Sequence, residues 1–236
     1  MGMIEFEAVT KNYLGIRPVL EAADLSVAKG DFFYLTGVSG AGKTTVFRLL
    51  MRLEVPEQGA IRVNGVNVTG LLPAQVPLHR RRIGMVFQDY RLLPQMTVED
   101  NVALPLRVAG WPGARARRRT RECLEWVGLE DRPGQIVKSL SGGEQQLAAM
   151  ARAMVFDPPL VLADEPTGNL DQNMAHRVLT LLQRMHERGT TVIVATHDLN
   201  LIRAFRARTL LIKEHAIHEV RLVNPGMTPD AAQAAG

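Results

Sequence analysis

The chain has 236 residues, of which 46% are hydrophobic and 22% are charged, and its formal net charge is +4. This length suits one sizeable α/β domain and excludes two domains of that size. No apolar stretch is long enough to cross a bilayer, and residues 4–9 alternate like a half-buried strand rather than a signal peptide. We therefore expect the chain to stay in the cytoplasm. Its single cysteine, Cys123, excludes an internal disulfide.

The positive charge is concentrated in two arginine-rich runs, residues 80–82 and 115–121. Runs of this kind are most often solvated surface, and binding of anionic lipid headgroups is the main alternative. We expect no specific nucleic-acid binding, because no recognised binding motif and no interleaved aromatic residues accompany the arginines.

The N-terminal third is predicted to form a small antiparallel layer of strands. Residues 4–9, 31–36 and 61–63 have strand patterns, and turn sequences lie at residues 29–30 and 64–65. Tyr13 follows the first of these strands, where its ring face could stack on adenine. A tyrosine with only a packing role is the plain alternative.

A glycine-rich sequence of the form G-x-x-x-x-G-K-[ST] lies between an apolar run and a segment with helical spacing. It consists of Gly37, Val38, Ser39, Gly40, Ala41, Gly42, Lys43 and Thr44, followed by a further hydroxyl, Thr45. The glycines allow successive N–H groups to converge on a β-phosphate at a helix N-terminus, whose dipole favours anions. Lys43 adds a full charge, and the Thr44 hydroxyl is placed to complete a Mg²⁺ shell. We call residues 37–45 the phosphate loop, and it predicts a nucleotide site.

Helical patterns dominate between residues 98 and 156, with interruptions predicted at Pro105 and at residues 110–113. These patterns predict a helical lobe inserted into the α/β core. Gln88 lies at the mouth of this lobe, where its amide could ligate Mg²⁺ and contact an attacking water. A glutamine alone indicates nothing, so this hypothesis depends on its position.

A second predicted anion site opens a helix far downstream, at Leu140-Ser141-Gly142-Gly143-Glu144-Gln145-Gln146, which we call the signature turn. Ser141 offers a hydroxyl, Gly142 and Gly143 offer bare amides, and Glu144 follows in the first helical turn. One γ-phosphate needs only one such cradle from its own chain. The economical interpretation is a two-fold homodimer with two ATP molecules at its interface, and a merely N-capped helix is the alternative.

Three apolar runs, residues 160–163, 191–195 and 209–212, are predicted to be buried parallel strands separated by helices. Two carboxylates end the first run. Asp164 is placed to hold Mg²⁺ and Glu165 to accept a proton from the attacking water, unless both acids merely terminate the strand. His197 follows the second run, at the edge where ligands of open α/β sheets bind. It could contact the γ-phosphate and hold Glu165 in register, although a lone histidine is usually structural.

Together these motifs resemble those of the ATP-binding-cassette (ABC) superfamily, over about residues 4–221. In chain order, Tyr13 matches the adenine-stacking aromatic, residues 37–45 match the Walker A loop and Gln88 matches the Q-loop. Residues 140–146 match the signature, residues 161–165 the Walker B strand and His197 the switch histidine. Asp171 matches the D-loop, through which the resemblance implies communication with the opposite site.

The resemblance implies an α/β P-loop NTPase fold with a RecA-like parallel-sheet core, an N-terminal antiparallel β layer and an inserted helical lobe. Residues 1–223 would form a single ABC ATPase domain. Within it, about 1–87 and 159–223 form the nucleotide-binding core and about 88–158 the helical lobe. Residues 224–236 are expected to be a loose tail.

The motifs are most similar to the branch that contains lipoprotein-release, macrolide-export and cell-division ATPases, and the finer matches favour the cell-division members. This implies an ATP-hydrolysing homodimer, peripheral to the cytoplasmic face of the bacterial inner membrane, that acts on an FtsX-like integral membrane partner and the division machinery. An ATPase of a lipoprotein-release or macrolide-export transporter is the alternative. A soluble cassette acting on nucleic acid is less favoured, because the chain has neither a long coiled coil nor a second cassette.

Two further expectations concern the lobe. The membrane partner's helix would dock beside Gln88, in a groove formed by about residues 90–101. Members of the superfamily usually carry a basic residue directly after Gly-Glu-Gln-Gln, whereas this chain has Leu147. We expect this departure to alter contacts near the nucleotide of the second copy.

Overall fold

The computed structural model describes residues 2–13, 18–204 and 207–220. Its centre is a six-stranded sheet with the strand order β10-β9-β3-β8-β7-β6. The strands are β3 (Phe32–Thr36), β6 (Ile83–Val86), β7 (Leu160–Asp164), β8 (Thr191–Ala195), β9 (Arg208–Lys213) and β10 (Ala216–Val220). All neighbours pair in parallel except β10 and β9, which are antiparallel. The three parallel strands predicted in the C-terminal part are therefore confirmed.

The predicted antiparallel layer is a second sheet, with the order β2-β1-β4-β5. It consists of β1 (Ile4–Lys11), β2 (Leu20–Val27), β4 (Gln58–Val63) and β5 (Val66–Asn67). The assignment of residues 31–36 to this layer was wrong, because β3 pairs with β8 and β9 in the central sheet. Four of the five β3 residues are buried, as expected for a strand covered on both faces, whereas β1 and β2 each expose several side chains.

The helices lie on both faces of the central sheet. They are α1 (Lys43–Leu50), α2 (Val76–Arg80), α3 (Val98–Val108), α4 (Gly113–Val127), α5 (Gly142–Met154), α6 (Gln172–Glu187) and α7 (Leu199–Ala204). Alternating β7 residues separate two hydrophobic cores. Leu160 and Leu162 pack with α1 and the antiparallel layer, whereas Val161 and Ala163 pack with α5 and α6.

The helical lobe consists of α3, α4 and α5, and α3 differs from its prediction. Pro105 does not interrupt this helix, which runs to Val108. The buried side chains of Val98, Val102 and Leu106 form one apolar face that packs into the lobe. This packing outweighs the hydrogen bond that the proline removes. The predicted interruption at residues 110–113 is confirmed, since α4 begins at Gly113.

The segment with helical spacing that follows the phosphate loop is helix α1, and it ends at Leu50. Among the described residues, no helix combines the length and the apolar character that a bilayer span needs. The tail at residues 224–236 lies outside the described residues.

Candidate functional site

The carboxyl ends of the central strands border a cavity of about 720 Å³, which we call the central cavity. The predicted site residues that line it are Tyr13, Val38, Ser39, Gly40, Gly42, Lys43, Thr44, Thr45, Gln88, Asp164, Glu165 and His197. Gly37 and Ala41 do not line the cavity but belong to the same loop. The fold therefore gathers side chains from five separate segments at the edge where parallel sheets bind ligands.

The phosphate loop has the backbone that its glycines predict. Gly40 and Gly42 have φ angles of 79° and 110°, in the left-handed region that other residues rarely adopt. Gly42 is also the N-cap of α1, so the free N–H groups of the first turn begin at Lys43. A Cβ atom on Gly37 would lie 2.8 Å from the carbonyl oxygen of Ile212, so this glycine is required by close packing as well.

The Lys43 ammonium is directed back into this loop. Its Nζ atom donates to the carbonyl oxygen of Gly37 at 2.9 Å and to that of Val38 at 3.4 Å. The side chain is largely buried, with 8% of the residue surface exposed. The two carbonyl groups accept hydrogen bonds from this ammonium without neutralising it, so the loop is a strong anion site.

Thr44 and Asp164 bring two oxygen atoms together. The Thr44 hydroxyl donates to Oδ2 of Asp164 at 3.0 Å. Burial raises the pKa of the Asp164 carboxyl, although the Thr44 hydrogen bond opposes the shift. A buried carboxylate beside a hydroxyl is a set of ligands that suits Mg²⁺. Such a cation would offset the free-energy cost of burying the negative charge of Asp164.

Glu165 is held by two contacts, one with the last residue of β8 and one with the loop that follows this strand. Oε1 of its carboxylate lies 2.7 Å from Nδ1 of His197, and its backbone N–H donates to the carbonyl of Ala195 at 2.8 Å. The φ angle of Glu165 is 44°, a strained conformation for a residue with a side chain. Its side chain is 11% exposed and that of His197 is 71% exposed. The chain turns sharply after β7, and the carboxylate is oriented by the histidine.

Gln88 and Tyr13 lie at the rim of the same cavity. Gln88 is exposed and follows β6 by two residues. The Tyr13 hydroxyl lies 3.5 Å from the Thr45 hydroxyl, which fixes the ring next to the phosphate loop. The Nζ atom of Lys11 lies 5.2 Å from the Tyr13 ring centroid, so a cation–π contact also positions this ring.

The signature turn forms the N-terminus of α5, as predicted, but does not line the central cavity. Ser141 is the N-cap of α5 and forms a capping box with Glu144, in which the Glu144 carboxylate accepts from the Ser141 N–H and hydroxyl, each at 2.9 Å. These two hydrogen bonds, together with Arg132 at 2.8 Å, lower the pKa of Glu144. Ser141 and Gly142 are exposed. The fold thus fixes this turn on the surface.

Asp171 lies close to the signature turn rather than in the central cavity. It is the N-cap of α6 and accepts from the Met174 N–H at 3.0 Å. Met174 in turn packs against Gly143, where an added Cβ atom would lie 2.7 Å from Cγ of Met174. The two motifs that were predicted to act across an interface are therefore neighbours on one surface.

Val19 lines the central cavity but was not singled out from the sequence. Within the signature turn, the amide of the buried Gln146 donates to the carbonyl of Pro166 at 2.8 Å, directly after the two carboxylates. Leu147 is 1% exposed and packs in the core of the helical lobe. It does not reach the surface, so any effect of this departure on the nucleotide of a second copy would act through packing.

The fold and the cavity define a P-loop ATPase of the ABC type, and the sequence matches the ABC transporter family over residues 20–168. The chain belongs to this family. Like other family members it is an ATP-binding ATPase. It is 45% identical to the "Cell division ATP-binding protein FtsE" of Escherichia coli strain K12, over 92% of this chain and 97% of the relative. The protein of the same name from Mycobacterium tuberculosis is also 45% identical, over 88% of this chain and 91% of the relative.

Solved structures support the same assignment. The dimeric structure of MJ0796, a bacterial ABC transporter cassette, matches with a TM-score of 0.83 and 34% identity, over 94% of this chain and 100% of that chain. The dimeric structure of a post-hydrolysis state of MJ0796 bound to ADP and Pi has the same TM-score at 33% identity, with the same coverage.

Proposed function

We propose that two copies of the chain bind two ATP molecules between them, with each phosphate loop facing the signature turn of the other copy. One observation carries this proposal: the signature turn has a complete cap and lies at the surface, where Ser141 and Gly142 are exposed, but it does not line the cavity of its own chain. A second copy related by two-fold symmetry would bring it to the γ-phosphate. The dimeric cassettes among the structural relatives support this arrangement.

The residues of the central cavity would then have the following roles. The phosphate loop and Lys43 would hold the β- and γ-phosphates, and Tyr13 would stack on adenine. Thr44, Gln88 and Asp164 would hold Mg²⁺, which supplies positive charge at the transferring phosphoryl group. Glu165 would accept the proton of the attacking water, and His197 would orient Glu165. Asp171, beside the signature turn, would link one site to the other.

We further propose that the chain acts in bacterial cell division, as its relatives named for this process suggest. It would bind the cytoplasmic face of the inner membrane as a peripheral subunit. The conformational change of dimer closure would be transmitted to an FtsX-like integral membrane protein that regulates cell-wall hydrolysis. ATP would stabilise the closed dimer because it binds both copies, and hydrolysis would remove this bridge.

Co-purification tests the choice of partner. The tagged chain is expressed in its native host, membranes are solubilised in mild detergent, and integral membrane proteins that remain bound are identified by mass spectrometry. An FtsX-like protein is the expected result. Recovery of a lipoprotein-release or macrolide-export permease instead would overturn the cell-division assignment but not the ATPase chemistry, because all three systems require the same central cavity.

A further inference from the structure

Three hydrogen bonds fix the backbone of the turn that carries Glu165. The Glu165 N–H donates to the carbonyl of Ala195 at 2.8 Å, and the Glu165 carbonyl accepts from the Gly168 N–H at 3.2 Å. Pro166 has no N–H, and its carbonyl accepts from the side-chain amide of Gln146 at 2.8 Å. The first two bonds are between backbone groups, so Gln146 contributes the side chain in this set, and it comes from helix α5.

The conformation directly after Glu165 depends on this contact. Glu165 has a φ angle of 44°, a strained value that persists only when the surroundings hold it. The ring of Pro166 fixes its own φ angle, and the hydrogen bond from Gln146 fixes the direction of its carbonyl and therefore its ψ angle. Without this donor, the turn could relax and carry the Glu165 carboxylate away from His197.

Packing alone does not explain a glutamine at this position. Gln146 is 1% exposed, and its Oε1 atom has no hydrogen-bond partner within residues 2–13, 18–204 and 207–220. A buried acceptor without a partner costs stability, and an apolar side chain of similar length would avoid this cost. The feature that such a side chain lacks is the N–H donor that contacts the Pro166 carbonyl.

The position of Gln146 in α5 links this support to the signature turn. Ser141 is the N-cap of α5, and Gln146 lies in the second turn of the same helix. The helix that would present Ser141 to the ATP of the other copy therefore also holds the Glu165 turn of its own chain. A movement of α5 would change the two together.

Resting on the proposed role of Glu165, we propose that Gln146 is a positioning residue for ATP hydrolysis, which holds Glu165 in its reactive orientation through the Pro166 carbonyl. Gln146 does not line the central cavity, so it would contact neither the nucleotide nor the attacking water. Its removal should lower kcat and leave the KM for ATP nearly unchanged, because the phosphate loop keeps all its contacts.

Steady-state hydrolysis by two Gln146 variants tests this inference. Gln146→Met fills the same space without a donor and should lower kcat at least about tenfold, with KM changed less than about twofold. In Gln146→Glu, the protonated carboxyl can donate to the Pro166 carbonyl and the ionised one cannot. Its kcat relative to wild type should therefore rise at least about threefold between about pH 8 and about pH 6, whereas the ratio for Gln146→Met stays constant. Gln183→Glu, on α6, is the control and should match wild type at both pH values.

A double-mutant cycle separates positioning from general damage to the fold. If Gln146 acts through Glu165, adding Gln146→Met to Glu165→Gln should change the single-turnover rate less than about twofold, because the group that Gln146 orients is already inactive. A substitution that harms the fold would instead lower the rate by the same factor in both backgrounds. Thermal unfolding verifies that each variant is folded.

Three results would overturn the inference while leaving the proposed function intact. They are a kcat of Gln146→Met within about twofold of wild type, a Gln146→Glu variant no more active than Gln146→Met at about pH 6, and equal losses in the two backgrounds of the cycle. Undiminished hydrolysis by Glu165→Gln alone would instead overturn the proposed role of Glu165.

Discussion

Nδ1 of His197 lies 2.7 Å from Oε1 of Glu165, so the loop after β8 holds the carboxylate that follows β7. The histidine is largely exposed and the carboxylate is not. This arrangement leaves one face of Glu165 directed into the central cavity, and it suits a proton acceptor that must keep a single orientation while the nucleotide enters.

Replacing Glu165 by Gln should lower ATP turnover by about 10²–10⁴-fold, because the amide cannot accept the proton of the attacking water. The contacts to phosphate are unchanged, so ATP binding should persist and the ATP-loaded dimer should accumulate. Steady-state hydrolysis and size-exclusion chromatography with ATP measure the two effects. Glu187→Gln, at the exposed end of α6, is the control and should behave as wild type. Undiminished hydrolysis by a monomeric Glu165→Gln variant would contradict the role assigned.

Replacing Ser141 by Arg should abolish turnover and leave the nucleotide affinity of the single chain nearly unchanged, because the signature turn does not line the cavity of its own chain. Ser139→Arg adds the same side chain two residues earlier at another exposed position, and it should remain active. Binding of a fluorescent ATP analogue to dilute protein is measured beside hydrolysis. Parallel loss of binding and turnover in Ser141→Arg would count against action across an interface.

Replacing Asp164 by Asn should stabilise the nucleotide-free protein at neutral pH and remove its stabilisation by Mg²⁺ with ATP. Burial raises the pKa of Asp164 in the folded state, so the fold favours the protonated form. Asp164 therefore contributes favourably to folding stability below its pKa in the unfolded chain, and this contribution is lost as the pH rises through its pKa in the folded chain. The melting temperatures of wild type and variant should therefore differ at pH 7 and converge in acid. Asp157→Asn, at a 97% exposed side chain, should show no such difference. A variant that melts below wild type at pH 7 would contradict this account.

Arg152 connects α5 to the segment after Gln88 by donating to the carbonyls of Tyr90 and Arg91, two residues with positive φ angles. Arg152→Met keeps much of the side-chain length but leaves both carbonyls unpaired. It should lower the free energy of unfolding by about 2–4 kcal/mol. Urea denaturation measures this, and Arg184→Met, at an exposed position of α6, should have no measurable effect. Similar stabilities of the two variants would show that these hydrogen bonds contribute little.

The conformations of the phosphate loop and the signature turn could be predicted from the sequence, because each combines a residue type with a local backbone requirement. The phosphate loop needs its glycines and the signature turn its capping serine, and both requirements appear in consecutive residues. The pairing of β3 could not be predicted in this way. An apolar run between two turns fits either sheet, and its place is set by contacts with β8 and β9, more than 150 residues away in the chain.

Tertiary contacts also explain the other residues that the sequence did not reveal. Val19, which directly precedes β2, borders the central cavity because its side chain packs beside Gly42 of the phosphate loop. Arg152 is one of many arginines in the sequence, and only the fold places the carbonyls of Tyr90 and Arg91 beside it. Pro105 is a residue whose local signal gave the wrong prediction. It indicates a helix break, but the helix continues because the side chains of Val98, Val102 and Leu106 are buried on one of its faces.

The central claim is that each reaction centre is completed by the other copy, and mixing two inactive variants tests it most directly. Lys43→Ala removes the phosphate-loop charge and Ser141→Arg blocks the signature turn, so each homodimer should be inactive. A heterodimer of the two contains one site built wholly from unaltered residues, so an equimolar mixture should recover up to about a quarter of wild-type hydrolysis. Pull-down with two different tags verifies that heterodimers form. Heterodimers that form but hydrolyse no ATP would contradict the claim.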